Sequence, residues 1–273
     1  MLHDGGRSPT ALLLLLALTS AVVNVTASLF NEGRVLSSIE WSLSSAPFQG
    51  NPLPQEDLPL PPDRLQMHGT TTLSFIWNDS VIVAVDSRAS IGSYVGSRTT
   101  KKIFPVSSHI VATMAGGAAD CAHWIRRVTR QSRVYEFQYA TLLPVVSIAR
   151  QLALALREYR GMGLSVGTMV AGIDPAGPAI YYVDSEGTCI PGQRFCVGSG
   201  STLAYAVLDS QLETLRNNQS AHVDDAVGVA LWAIRHATYR DGYSGGYINV
   251  FHINSTGIHH LVRKDAKELL IET

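Results

Sequence analysis

The chain has little net charge, few cysteines and no apolar run that could cross a bilayer. Twenty-one Lys and Arg against 22 Asp and Glu leave a formal charge of −1 over 273 residues, without the basic excess expected of a nucleic-acid binder. Its three cysteines, Cys121, Cys189 and Cys196, are an odd number at spacings that match neither a zinc pattern nor a disulfide framework. They are expected to be reduced thiols of an intracellular protein, mostly in the core. Ala11 to Leu18 is apolar, but Thr19 and Ser20 interrupt it and Asn24 follows, well short of the roughly 20 residues a spanning helix needs. With Arg7 before it and small residues after, the same run has the form of a secretory signal. Sequons at Asn24, Asn78, Asn218 and Asn254 carry little weight, since a chain of this composition produces several. No solenoid-length repeat is visible.

What is present is a large apolar fraction, 46% of residues, enough for a sizeable core. Pro47, Pro52, Pro54, Pro59, Pro61 and Pro62 mark an extended linker, because proline removes backbone donors and fixes φ. From Thr71 the pattern is strand (71–77), polar turn (78–80) and strand (81–86). Residues 120–137 and 143–160 repeat apolar side chains at helical spacing, as do 201–216 and 223–240. Between these helix pairs lie strands at 166–173 and 179–183, and after them strands at 247–253 and 258–262. This order implies a layered α+β fold with helices on both outer sides of the sheets.

Gly69-Thr70-Thr71-Thr72-Leu73 places a hydroxyl residue after a glycine at the head of an apolar strand. If the Gly69–Thr70 bond is cut, the freed α-amine of Thr70 has a pKa of roughly 7.7 to 8.0 and is placed to take the hydroxyl proton, so nucleophile and base share one residue. A plain Thr-rich strand after a glycine turn fits the same pentapeptide. The buried run ending in Asp86-Ser87-Arg88 requires a partner for the carboxylate. Lys102, of the Lys101-Lys102 pair, is the candidate, since alternation turns only one of the two inward; two solvated lysines at a strand edge are the other reading. Thr113 to Asp120 runs from a strand through Gly116 and Gly117 into a helix, an arrangement that exposes backbone N–H groups to a developing oxyanion, with Gly116 the expected donor. The Gly198-Ser199-Gly200-Ser201 and Asp241 to Gly246 turns flank helices, where capping is the commoner use of such residues.

The Gly69–Thr70 junction, VDSRAS at Val85 to Ser90, Lys101-Lys102, TMAGGAADC at Thr113 to Cys121, YYVDSEG at Tyr181 to Gly187, VGSGS at Val197 to Ser201 and YRDGYSGG at Tyr239 to Gly246 are together specific. In these motifs the chain from Gly69 onward resembles the proteasome beta subunits of the chymotrypsin-like type. The resemblance implies an N-terminal nucleophile hydrolase, a four-layer αββα sandwich of two antiparallel sheets between helix layers. It also implies a leader, 1–69, removed autocatalytically, and a catalytic domain, 70–273. On the matching positions Thr70 is nucleophile and base, and Asp86 and Lys102 are the catalytic acid and lysine. Ser199, Asp241 and Ser244 support the threonine, and Gly116 is the oxyanion donor. Ala89, Thr100, Met114 and Ala118 line a pocket for large apolar side chains. Thr100 and Phe104 depart from the usual pattern there, Thr100 replacing a small aliphatic residue and Phe104 being bulkier. No cofactor or metal is implied. The expected partners are other beta and alpha subunits in stacked heptameric rings, with unfolded polypeptide as substrate and neither nucleic acid nor membrane. The expected location is cytoplasm and nucleus, against which the leucine-rich leader stands as a possible targeting signal.

Overall fold

The structure, a computed structural model, describes residues 69–270; the leucine-rich run, the proline-rich linker and all of the expected leader except Gly69 lie outside them. Strands β1 (Thr72–Trp77) and β2 (Ser80–Val85) form the expected hairpin, turning at Asn78 with φ of 50°. There follow β3 (Ala89–Ile91), β4 (Tyr94–Ser97), β5 (Ile103–Pro105), β6 (Ile110–Thr113) and β7 (Ala115–Gly116), then helices α1 (Ala118–Tyr139) and α2 (Val145–Arg157). Next come β8 (Val166–Asp174), β9 (Gly177–Asp184), β10 (Cys189–Gly192) and β11 (Arg194–Val197), α3 (Ser201–Arg216), α4 (Val223–Arg240), β12 (Tyr247–Asn254) and β13 (Gly257–Asp265).

Two large antiparallel sheets result, one of five strands in the order β11-β1-β2-β12-β13 and one of six built on β10-β9-β8-β6-β5, with β7 also paired to β8, while β3 and β4 pair as a separate two-stranded sheet. Strand alternation assigns the faces. On β2, Ile82 and Ala84 join Leu73 and Phe75 of β1 against Leu208, Ala230 and Ile234 of α3 and α4. The intervening Val81, Val83 and Val85 meet Val111, Met169, Ala171 and Ile180 of the other sheet. That sheet turns Ile110, Ala112 and Val170 toward Ile125, Ile148 and Leu152 of α1 and α2. The layers are therefore helix, sheet, sheet, helix, as expected. Each large side chain removed from water in these interfaces contributes about 1.5–3 kcal/mol. Among the described residues no helix is long and apolar enough to cross a membrane.

Strand register positions the site. Thr72 pairs with Val85 on one side and Val197 on the other, and Val85 pairs in turn with Asn249. The segments just beyond these residues, 70–71, 86–88, 198–199 and 244–246, therefore emerge side by side at one end of the first sheet. Lys102, immediately before β5, reaches the same place from the second sheet.

Candidate active site

Thr70 lies where these segments converge and is 6% exposed. Its hydroxyl donates to the Gly69 carbonyl oxygen at 2.6 Å, and Lys102 Nζ donates to the same oxygen at 2.9 Å. The carbonyl preceding Thr70 is thus polarised by an ammonium. Of the two adjacent lysines, Lys101 is exposed and Lys102 is buried, the alternation expected of a strand entry.

Asp86 is fully buried and lies 2.7 Å from Lys102 Nζ. Its Oδ1 also accepts the Thr71 N–H at 3.0 Å, and its Oδ2 accepts the N–H groups of Gly245 at 2.9 Å and Arg88 at 3.2 Å. Burial pushes the Asp86 carboxyl up, against the pull of the Lys102 ammonium and of the Gly245 and Thr71 hydrogen bonds. Burial likewise pushes the Lys102 amine down, with Asp86 holding it partly up. Two desolvated, mutually dependent groups lie beside one threonine, a pattern concentrated at catalytic sites.

On the other side of Thr70, Asp241 follows α4 as its C-cap residue. Its Oδ2 accepts the hydroxyls of Ser199 and Ser244, each at 2.6 Å, lengths typical of charge-assisted O–H···O⁻ bonds. Ser199 Oγ in turn accepts the Thr70 N–H at 3.3 Å. Gly198, with φ of +113°, leaves the room this needs, because a Cβ there would lie 1.9 Å from the Thr70 carbonyl oxygen.

Thr70, Gly116 and Ser199 share a cavity of about 490 Å³ with Ser165, Tyr182 and Asp184. Thr70, Asp86, Lys102, Ser199, Asp241 and Ser244 are thereby joined through hydrogen bonds into one cluster, with Gly116 across the cavity. Ala89, Thr100, Met114 and Ala118 do not line that cavity. Met114 donates its N–H to the Lys102 carbonyl at 2.8 Å and packs in one apolar cluster with Ala118 and Phe104. Ala89 opens β3 half-buried, and Thr100 lines a separate cavity of about 440 Å³ with Lys101, Lys102 and Phe251.

Two residues enter the architecture that sequence reasoning assigned no role. Arg88 spans from Asp86, through its N–H, to the Gly242 carbonyl, through Nη1 at 2.9 Å. Ser87 Oγ accepts the Tyr247 N–H at 2.7 Å and donates to the Arg98 carbonyl. The signal for both was the polar Asp-Ser-Arg ending of an otherwise apolar strand.

The model of the proteasome subunit family matches residues 66–253. The chain belongs to the proteasome subunit family. Among curated proteasome relatives, the chain is 45% identical over 224 residues to a protein of Gallus gallus named proteasome subunit beta type-5, covering 82% of this chain and 83% of that one. It is 45% identical over 202 residues to the Dictyostelium discoideum protein of the same name, covering 74% and 72%. To the human proteasome subunit beta type-8 it is 41% identical over 203 residues, covering 74% and 72%. The site cluster, from Gly69 to Gly246, falls within the stretch that the proteasome family model spans.

Proposed function

We propose that the chain is a catalytic beta subunit of the proteasome core particle, a threonine endopeptidase that cleaves after large apolar residues. The observation that carries this is the convergence of the Thr70 hydroxyl and the Lys102 ammonium on one carbonyl oxygen, that of Gly69. Activation follows from it. Thr70 Oγ attacks the Gly69 carbonyl carbon while Lys102 takes up the charge developing on the oxygen; the Oγ proton is passed to the Thr70 nitrogen, and the C–N bond breaks to leave that nitrogen as an amine and Gly69 as an ester on Oγ. Water then hydrolyses the resulting ester, freeing the carboxylate of Gly69 and the hydroxyl and α-amine of Thr70.

In the processed chain the α-amine, held by Ser199, accepts the Oγ proton as Oγ attacks a substrate carbonyl. Lys102 stabilises the Thr70 alkoxide as it forms, and the Gly116 N–H receives the oxyanion. The proton passes to the leaving amine, and water releases the acyl group from Oγ. Asp86 keeps the lysine charged and in place. The pocket for the preferred residue is assigned to Ala89, Thr100, Met114 and Ala118 by their match to the family's motifs, although none of the four lines the cavity at Thr70. The partners are neighbouring beta subunits and alpha subunits in stacked rings, the substrate is unfolded polypeptide, and the location is cytoplasm and nucleus.

The test is intact mass and N-terminal sequencing of the chain from its native particle, with a threonine-directed covalent probe. The expected chain begins at Thr70 and carries the probe there. A chain that retains Gly69, or is unmodified at Thr70, removes the reading.

A further inference from the structure

We infer that Thr71 is a positioning residue for the nucleophile, acting through two arms of hydroxyl hydrogen bonds that converge on Asp241, one from Thr71 and one from Thr70. The inference rests on the reading of Thr70 as nucleophile and base. Thr71 Oγ1 lies 2.8 Å from Ser244 Oγ, and both residues are fully buried. Geometry leaves the donor of that bond open, but the rest of the network decides it. Ser244 has one hydroxyl proton, and it is directed to Asp241 Oδ2 at 2.6 Å. Ser244 must then accept from Thr71, whose hydroxyl is the donor. Ser199 Oγ has two acceptors in reach, Asp241 Oδ2 at 2.6 Å and the Thr70 carbonyl oxygen at 3.4 Å; the shorter, charge-assisted bond takes its one proton, so Ser199 accepts from the Thr70 nitrogen.

Every proton in the chain thus runs toward Asp241, from Thr71 through Ser244 on one arm and from Thr70 through Ser199 on the other. An amine that must offer its lone pair to its own hydroxyl has to spend an N–H elsewhere, and with the Ser199 proton directed to Asp241 the Ser199 lone pairs are turned to receive it. Thr71 keeps Ser244 oriented as the second donor on Asp241 and so limits how much carboxylate charge reaches Ser199 and the amine. The space is reserved by Gly200, where a Cβ would lie 2.2 Å from Thr71 Oγ1 and 3.1 Å from Asp241 Oδ2.

The experiment compares particles carrying Thr71→Val, Thr71→Ser, Ser244→Ala and Thr70→Ala in this subunit. Thr71→Val keeps the shape and deletes the donor. It should lower kcat roughly ten-fold with KM within about two-fold, and shift the acid limb of the kcat/KM profile to higher pH, because a less neutralised Asp241 raises the amine pKa. Thr71→Ser should restore both. Ser244→Ala breaks the same link and should shift the limb the same way, which decides the matter if Thr71→Val is not incorporated. An unshifted limb in either variant, or failure of Thr71→Ser to restore it, overturns the inference. Thr70→Ala separates the two ideas: activity surviving that change overturns the threonine reading itself, whereas a dead Thr70→Ala beside an unaltered Thr71→Val removes only the role of Thr71.

Discussion

Lys102 Nζ and Asp86 Oδ1 are 2.7 Å apart, with side-chain exposures of 1% and 0%. Removing one partner of such a pair strands the other charge, at a cost of about 3–5 kcal/mol. Lys102→Met also deletes the donor on the Gly69 carbonyl. The expected outcome is a subunit that keeps Gly69 joined to Thr70, read by intact mass of the particle. Efficient trimming at Thr70 in that variant excludes Lys102 from the activation step.

Asp241→Asn tests the opposite arm. An amide presents one accepting oxygen and one donating nitrogen, so it cannot accept from both hydroxyls at one atom and from the Tyr243 N–H, at 3.1 Å, at the other. Loss of a charged hydrogen bond costs about 1.5–3 kcal/mol. The expected result is a kcat lower by roughly ten- to hundred-fold and slower labelling of Thr70 by a threonine-directed probe. Unchanged labelling would show that the amine is positioned without Asp241.

Much of this arrangement was legible in the sequence, for identifiable reasons. Helices α3 and α4 have the expected limits, 201–216 and 223–240, because their apolar periodicity is bounded by glycine and polar turns. Helix α2 was expected from residue 143 and begins at Val145, since Pro144 contributes no N–H and serves as the N-cap residue. Strands β10 and β11 went unread because Pro191 and Gly192 signal a break. Proline is tolerated there because β10 is an edge strand, and the chain then crosses at Gln193 to pair β11 with the other sheet. The β3–β4 hairpin exposes Ile91, Tyr94 and Val95 and buries the polar Ser90, so no alternating apolar pattern marks it. In the site, the cost of burying charge required a partner for Asp86, and the structure shows it to be Lys102 rather than leaving both lysines in solvent. The cluster around Asp241 rested on resemblance alone, because Ser199, Asp241 and Ser244 are ordinary capping residues until strand register brings them to Thr70.

Two glycines with nearly the same positive φ separate conformational from steric demands. Gly177 has φ of +111° and Gly198 +113°, yet a Cβ meets nothing within 4 Å at Gly177 and would lie 1.9 Å from the Thr70 carbonyl at Gly198. Gly177→Ala should cost only the conformational penalty, about 1–2 kcal/mol, and give a particle with near-normal turnover. Gly198→Ala carries the same penalty and also displaces Thr70, so peptide hydrolysis at this subunit should be lost. Equal behaviour of the two variants would show that backbone conformation alone governs both positions.

The thiols give a prediction in alkaline solution. Burial pushes Cys121 up to about 12 and Cys196 higher still, and both are buried among apolar residues. Cys189 is raised by burial as well but is only half-buried. The thiolate is the reactive form, so a neutral alkylating reagent at pH 8 should leave Cys121 and Cys196 unmodified in the folded subunit and label them after unfolding. The same shift sets the sign of the pH dependence. Between the ordinary thiol value of 9.0 and about 12 the folded state keeps the Cys121 proton while the unfolded state loses it, so stability contributed below pH 9 declines as pH rises through that window. Thermal unfolding followed from pH 8 to 11 should therefore show a falling midpoint, reduced in Cys121→Ala; an identical slope in that variant assigns the alkaline loss to other groups.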